Sequence, residues 1–132
     1  MIAADSNIFL RWLVADDKAK ADAVGEYFKK AEKTGEPIWV ADLVMGEVVW
    51  VLQRFYELRP SEVADLVGPL LKAPMLSFEN RDRLMESLEL FRMHGVDFTD
   101  CYIAASAREK VCGGVLSYDK DFAKLPVTRL EP

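Results

Sequence analysis

The chain has 132 residues, which at about 150 residues per domain leaves room for one compact domain with little left for a second. Apolar residues at 51% and charged residues at 30% exclude a disordered chain. Seventeen Lys plus Arg against twenty-two Asp plus Glu give a net charge of −5. That charge argues against binding to nucleic acid or an anionic membrane through bulk positive charge, although a bound metal could still supply positive charge locally.

Other classes fall on single features. No uncharged apolar run approaches the roughly 18 residues of a membrane span, so no membrane partner is expected. The opening MIAADSNIFLRWLV carries Asp5 and no basic segment, unlike a secretory signal. On one helix, Cys101 and Cys112 would stand about 16 Å apart, too far for a disulfide, which points to a reduced, cytoplasmic chain. His94 is the single histidine; it leaves no ligand set for zinc and little prospect of a Ser-His-Asp triad. Any chemistry must run on carboxylates.

In chain order, Met1–Ala4 reads as a short strand stopped by Asp5-Ser6-Asn7, followed by a helix over Ile8–Val14. Ala21, Val24, Tyr27, Phe28 and Ala31 mark an amphipathic helix from Asp17 to about Lys33, with Gly35 placed to end it. Pro37–Ala41 is a second strand. Leu43 to about Leu58 is a helix apolar enough to be central. Arg59-Pro60-Ser61-Glu62 breaks and restarts the helix, because Pro suits a first turn, and the new helix runs to about Lys72. Pro74–Phe78 is a candidate third strand. Helices follow over Glu79–Met93 and Phe98–Val111, the latter closed by Gly113-Gly114. Val115–Tyr118 is a fourth strand and Pro126–Leu130 a fifth. Short apolar strands alternating with helices predict a single domain over residues 1–132. Its expected fold is a three-layer α/β/α sandwich on a mostly parallel central sheet of four to five strands.

In such folds ligands gather at the carboxyl ends of the strands. Asp5 closes the first strand and Asp119 the fourth, and Asp97 and Asp100 open the preceding helix. Each also has a purely structural explanation. Asp5 and Asp119 suit helix N-caps, and Asp97 and Asp100 suit a cap and a first-turn acid, although two acids three apart on one helical face repel. Glu47 discriminates best. Its helical neighbours Leu43, Val44, Trp50 and Val51 are apolar, so it is either buried at a cost or opens onto a cleft that supplies a cation. A pair with Arg54 would have to bridge seven residues. Acids converging on one site repel by about 4 kcal/mol per pair at 4 Å and an effective dielectric near 20, a load that a divalent cation relieves. Oxygen ligands without His or Cys select Mg²⁺ or Mn²⁺, and Mg²⁺ held by carboxylates suits phosphoryl chemistry.

With those residues in place, the chain resembles the PIN-domain ribonucleases, and within them the VapC-like toxins of VapBC toxin–antitoxin pairs. Asp5-Ser6-Asn7 is similar to the family's D-T-N, with Ser retaining the hydroxyl. Glu47 stands in an apolar helix, Val44-Met-Gly-Glu47-Val-Val-Trp-Val-Leu52. Val96-Asp97-Phe-Thr-Asp100-Cys-Tyr-Ile-Ala-Ala105 resembles D-F-x-D-A-x-I-A-A, and Leu116-Ser-Tyr-Asp119-Lys-Asp121-Phe122 resembles T-x-D-R-D-F. The resemblance covers the whole chain with its motifs in order. It implies an Mg²⁺-dependent endoribonuclease, with Mn²⁺ able to substitute, that leaves a 5′-phosphate and a 3′-hydroxyl. The implied catalytic acids are Asp5, Glu47, Asp100 and Asp119. Asp97 ranks just below them, Asp121 serves as a supporting residue, and Ser6 and Asn7 orient Asp5 or the metal's waters. Asp5 and Asp100, with Asp97, are the implied metal ligands; Glu47 would orient or deprotonate the attacking water and Asp119 would complete the acidic pocket. A homodimer and a cognate antitoxin are implied as partners, with RNA as substrate. No motif residue is an obvious phosphate clamp; Lys120, Arg11 and Arg54 are the nearest by sequence.

Two other enzyme classes also place acids on a parallel sheet. A haloacid-dehalogenase-like phosphatase needs a second acid two residues after the first, where this chain has Asn7. A response-regulator receiver has no place for Glu47. The non-enzyme alternative is a catalytically inactive PIN-fold protein acting as a binding or scaffold module, and retention of all four acids argues against it.

Overall fold

A computed structural model describes Met1–Pro132. The chain divides into two compact units, Met1–Arg81 and Asp82–Pro132.

In the first unit, β1 (Ile2–Ala3), β2 (Ile38–Val40) and β3 (Leu76–Phe78) form a parallel sheet in the order β1-β2-β3. Ile2 lies opposite Ile38, and Ile38 opposite Leu76. Parallel neighbours require crossover connections, and helices supply them: α1 (Ser6–Val14) and α2 (Lys18–Thr34) between β1 and β2, then α3 (Asp42–Arg54) and α4 (Pro60–Leu71) between β2 and β3. Pro60 opens α4 as the break at Arg59-Pro60 predicts. Ile38, Val40, Leu76, Phe9, Phe28, Met45, Val48 and Leu52 are buried in the core of this unit.

One expectation changes here. The apolar run that begins at Leu43 is not a helix buried on all sides. α3 buries Met45, Val48, Val49 and Leu52, while Leu43 and Trp50 are 84% and 59% exposed. Its composition is that of a central helix, but its burial is that of an amphipathic one, because apolar residues also occupy the outward stripe.

In the second unit, α5 (Arg81–His94, in this unit from Asp82 on) and α6 (Phe98–Glu109) precede β4 (Val115–Leu116), a 3-10 helix (Lys120–Lys124) and β5 (Arg129–Leu130). Leu84, Leu88 and Phe91 of α5 and Phe98, Cys101, Ala104 and Ala105 of α6 are buried, and the rings of Phe91 and Phe98 meet edge-on at 5.9 Å. Arg83 donates to Glu109 Oε2 at 2.9 Å and to the Tyr102 hydroxyl at 3.2 Å, tying α5 to α6. β4 and β5 form a parallel ladder with Leu116 opposite Leu130. A Cβ on Gly114 would stand 2.7 Å from the Thr128 carbonyl oxygen, so glycine is what lets the two strands close.

The α/β class and the parallel pairing agree with the sequence reading. The strand grouping differs: instead of one sheet of four to five strands, the ladders hold three and two. A second difference lies at the end of α6, which stops at Glu109 rather than Val111 and closes before Gly113-Gly114. Val111 takes a left-handed φ of 57°, its N–H reaches the Arg108 carbonyl at 3.1 Å, and the Cys112 N–H reaches Ala107 at 2.8 Å. This is the two-bond Schellman closure that glycine ordinarily makes, built here on a β-branched residue. Cys112 therefore lies beyond the helix, and both cysteines are free.

Candidate metal centre

The acids of the second unit are placed by short-range backbone bonding. Asp119 follows β4 and N-caps the 3-10 helix, its Oδ1 accepting the Asp121 N–H at 2.9 Å. The Asp119 N–H donates to Ser117 Oγ at 2.9 Å. Ser117 is itself held on both sides, its N–H on the Leu130 carbonyl at 2.9 Å and its carbonyl under Arg129 Nη1 at 3.0 Å. Phe122 and Leu125 are buried and anchor the turn from below. Asp100 sits in the first turn of α6, which packs on the 3-10 helix.

The result is a cluster. One carboxylate oxygen from each of Asp100, Asp119 and Asp121 lies within 4.8 Å of the others. Burial holds the Asp100 carboxyl above its ordinary value, and repulsion from Asp119, Asp97 and Asp121 adds to the shift. Burial likewise pushes the neighbouring Cys101 thiol up to about 12, with Asp100 and Asp97 contributing. The thiol is buried against the Val96 carbonyl at 3.8 Å and stays protonated, so it does not compete as a ligand. Hard oxygen donors alone remain, the set that suits Mg²⁺ or Mn²⁺. Oxygens on opposite sides of an octahedral Mg²⁺ stand about 4.2 Å apart, so small side-chain rotations bring this trio to bonding distance. The residues fit a divalent cation.

Asp97 occupies the N-cap position of α6 without a side-chain cap bond. It acts on Asp100 through its charge and is not one of the three close acids. Asp121, a supporting residue in the sequence reading, is one of the three.

In the first unit, Asp5 follows β1 and N-caps α1, its Oδ1 accepting the Asn7 N–H at 3.1 Å. Ser6 is buried and Asn7 exposed. Asp5 also lines a largely apolar pocket of about 570 Å³ beside β1, together with Ile2, Ile8, Val24, Tyr27 and Ile38. Glu47 is exposed on α3 between Leu43 and Trp50, so the burial cost weighed for it does not arise. No ion pair joins it to Arg54.

Two residues carry weight that sequence reasoning passed over. Asp42, only 7% exposed, accepts the Asn80 N–H on Oδ1 at 3.1 Å, while its own N–H donates to Glu79 Oε1 at 3.0 Å. The start of α3 is thereby clasped to the segment leaving β3. Its only sequence signal is an acid directly after a strand, which it shares with Asp5 and Asp119. Lys124 pairs with Asp121 Oδ1 at 2.9 Å; its signal is the three-residue spacing to an acid.

Comparison of the sequence with known proteins places the chain in a family. Over 128 residues, covering 97% of this chain and 94% of the relative, the sequence is 22% identical to the VapC ribonuclease of Aquifex aeolicus (strain VF5). The family model for the PIN domain matches residues 2–127, a span that takes in Asp5, Glu47 and all the acids of the cluster, and the chain belongs to the PIN domain family.

Proposed function

We propose that this chain is an Mg²⁺-dependent endoribonuclease and the toxin of a type II toxin–antitoxin pair, with residues 1–132 acting as one nuclease domain. The observation that carries the reading is the close approach of Asp100, Asp119 and Asp121, within 4.8 Å, in a chain matched by the PIN domain from residue 2 to 127. The similarity to a VapC ribonuclease supports RNA as the substrate.

In this reading Asp100, Asp119 and Asp121 would hold Mg²⁺, or Mn²⁺ in its place, and Asp97 would add negative charge beside them. Asp5, oriented by Ser6 and Asn7, is assigned to the metal, and Glu47 orients the attacking water and takes its proton. The bound cation would lower the pKa of that water and offset charge on the scissile phosphate. An acidic protein gains a local positive centre in this way, which reconciles a net charge of −5 with a polyanionic substrate. A cognate antitoxin, a homodimer and a cytoplasmic location complete the proposal. The absence of any helix long and apolar enough to cross a membrane is compatible with it.

The test is cleavage of single-stranded RNA by the full chain in Mn²⁺ or Mg²⁺. Cleavage is expected, with 5′-phosphate ends, and should be abolished by EDTA and reduced at least about 100-fold by Asp5→Asn, Glu47→Gln, Asp100→Asn or Asp119→Asn. RNA left intact across several sequences, in a protein that still binds Mn²⁺, would leave a scaffold module as the better reading.

A further inference from the structure

The cluster is three acids and one base. Lys124 Nζ lies 2.9 Å from Asp121 Oδ1, and both side chains are exposed. The arginines of this unit are turned elsewhere, Arg83 to Glu109, Arg108 to Glu86 and Arg92 to Glu89, and Arg129 to the Ser117 carbonyl, and no ion pair joins Lys120 to the cluster. Lys124 is thus the cation in contact with a carboxylate of the candidate metal centre. The spacing comes from the 3-10 helix, which places residues i and i+3 on one face.

An ammonium in that position has two consequences. It offsets the repulsion among three acids while no divalent cation is bound, and it competes with a cation for Asp121. An exposed Lys–Asp pair is held weakly, so the lysine can leave at little cost. Its flexible four-carbon stem keeps the charge near the cluster after it leaves. We propose that Lys124 is a phosphate-positioning residue that rests on Asp121 in the metal-free chain. When Asp121 turns to a divalent cation, Lys124 is released to a non-bridging oxygen of an RNA phosphodiester. The phosphate half rests on the ribonuclease reading above, whereas the competition for Asp121 does not.

The two halves predict opposite signs for one substitution. Lys124→Gln removes a positive charge beside a cation site, so Mn²⁺ should bind about threefold to tenfold more tightly by calorimetric titration of the full chain. The same variant loses a phosphate contact, so KM for a single-stranded RNA oligonucleotide should rise about fivefold or more while kcat stays within about twofold. Lys124→Arg keeps the charge and should lie near the wild type in both measurements. A merely structural lysine would not improve metal binding while weakening substrate binding. Unchanged or weaker Mn²⁺ affinity in Lys124→Gln overturns the competition, and an unmoved KM overturns the phosphate role. If the wild type binds Mn²⁺ but cleaves no RNA, the ribonuclease reading fails and the phosphate role fails with it. The calorimetry then decides the competition alone.

Discussion

The Asp119 carboxylate accepts the backbone N–H of Asp121 at 2.9 Å, so one side chain both caps the 3-10 helix and belongs to the acid cluster. The two explanations open to Asp119 in the sequence, cap or metal ligand, are therefore not exclusive: two oxygens on one carboxylate can serve both.

Substitution at Asp119 separates these roles. Asn caps about as well as Asp, and loss of a cap costs about 0.5–2 kcal/mol. Asp119→Asn should keep the metal-free melting temperature within about 1 °C of wild type or raise it, yet lose most of the stabilisation by Mn²⁺. A site filled at 100 times its Kd adds about 2.7 kcal/mol, which makes that loss measurable by thermal denaturation with and without Mn²⁺. Asp119→Ala should lose both the cap and the Mn²⁺ effect. Full Mn²⁺ stabilisation of Asp119→Asn would remove this residue from the metal centre.

Asp100 carries a pH signature. Its carboxyl is held above the ordinary value of 3.8, first by burial and then by Asp119, Asp97 and Asp121. The folded chain therefore holds this proton more tightly than the unfolded chain does. Its contribution to stability is intact below the unfolded value and is lost as pH rises from there through the raised folded value. Above that window the charged carboxylate is a standing penalty. Asp100→Asn should raise the metal-free melting temperature at pH 7 by about 2–4 °C, and the advantage should vanish below about pH 3.5. Loss of a first-turn acid works against this by about 0.3–1 kcal/mol, so the rise measured is what remains after that loss. Calorimetry of both proteins from pH 3 to 7 supplies the check.

Asp42 tests the clasp in the first unit. Removing its carboxylate leaves the Asn80 N–H without that partner at a site where Asp42 is buried, a loss of about 1–3 kcal/mol. Asp42→Ala should lower the urea midpoint accordingly. Asp42→Asn, which keeps an acceptor oxygen, should lose less than half as much. Mn²⁺ stabilisation should remain in both variants, because Asp42 is not among the clustered acids.

Much of this was legible in the sequence because it is written in periodicity and punctuation. The order of strands and helices follows from the alternating apolar runs, and Pro60 marks the start of α4 to the residue. The acids Asp100 and Asp119 stand out by their positions at element ends. Pairing partners were not legible: two-residue strands such as β4 and β5 carry too little pattern to say which ladder they join. Outward-facing Leu43 and Trp50 misled because composition does not distinguish a buried face from an apolar exposed one. Asp121 and Lys124 were underweighted because their importance comes from where a 3-10 helix turns them, a detail that follows from the Asp119 cap rather than from any motif.

Val111 offers a stabilising change away from the cluster. It closes α6 at a φ of 57°, with its side chain 87% exposed, so it gains little packing from a conformation that costs an L-residue about 1–2 kcal/mol. Glycine removes that strain but adds about 0.5–1 kcal/mol of unfolded-chain entropy to be lost. The balance favours the folded state. Val111→Gly should stabilise the chain by about 0.5–1 kcal/mol, a rise of about 2–5 °C in melting temperature. Val111→Ala should help less, because its Cβ keeps most of the clash. Both Schellman bonds, from Val111 to Arg108 and from Cys112 to Ala107, run through backbone atoms and survive either substitution. The Mn²⁺-induced increment should therefore match the wild type, while a lower melting temperature for Val111→Gly would show that the left-handed closure is not strained.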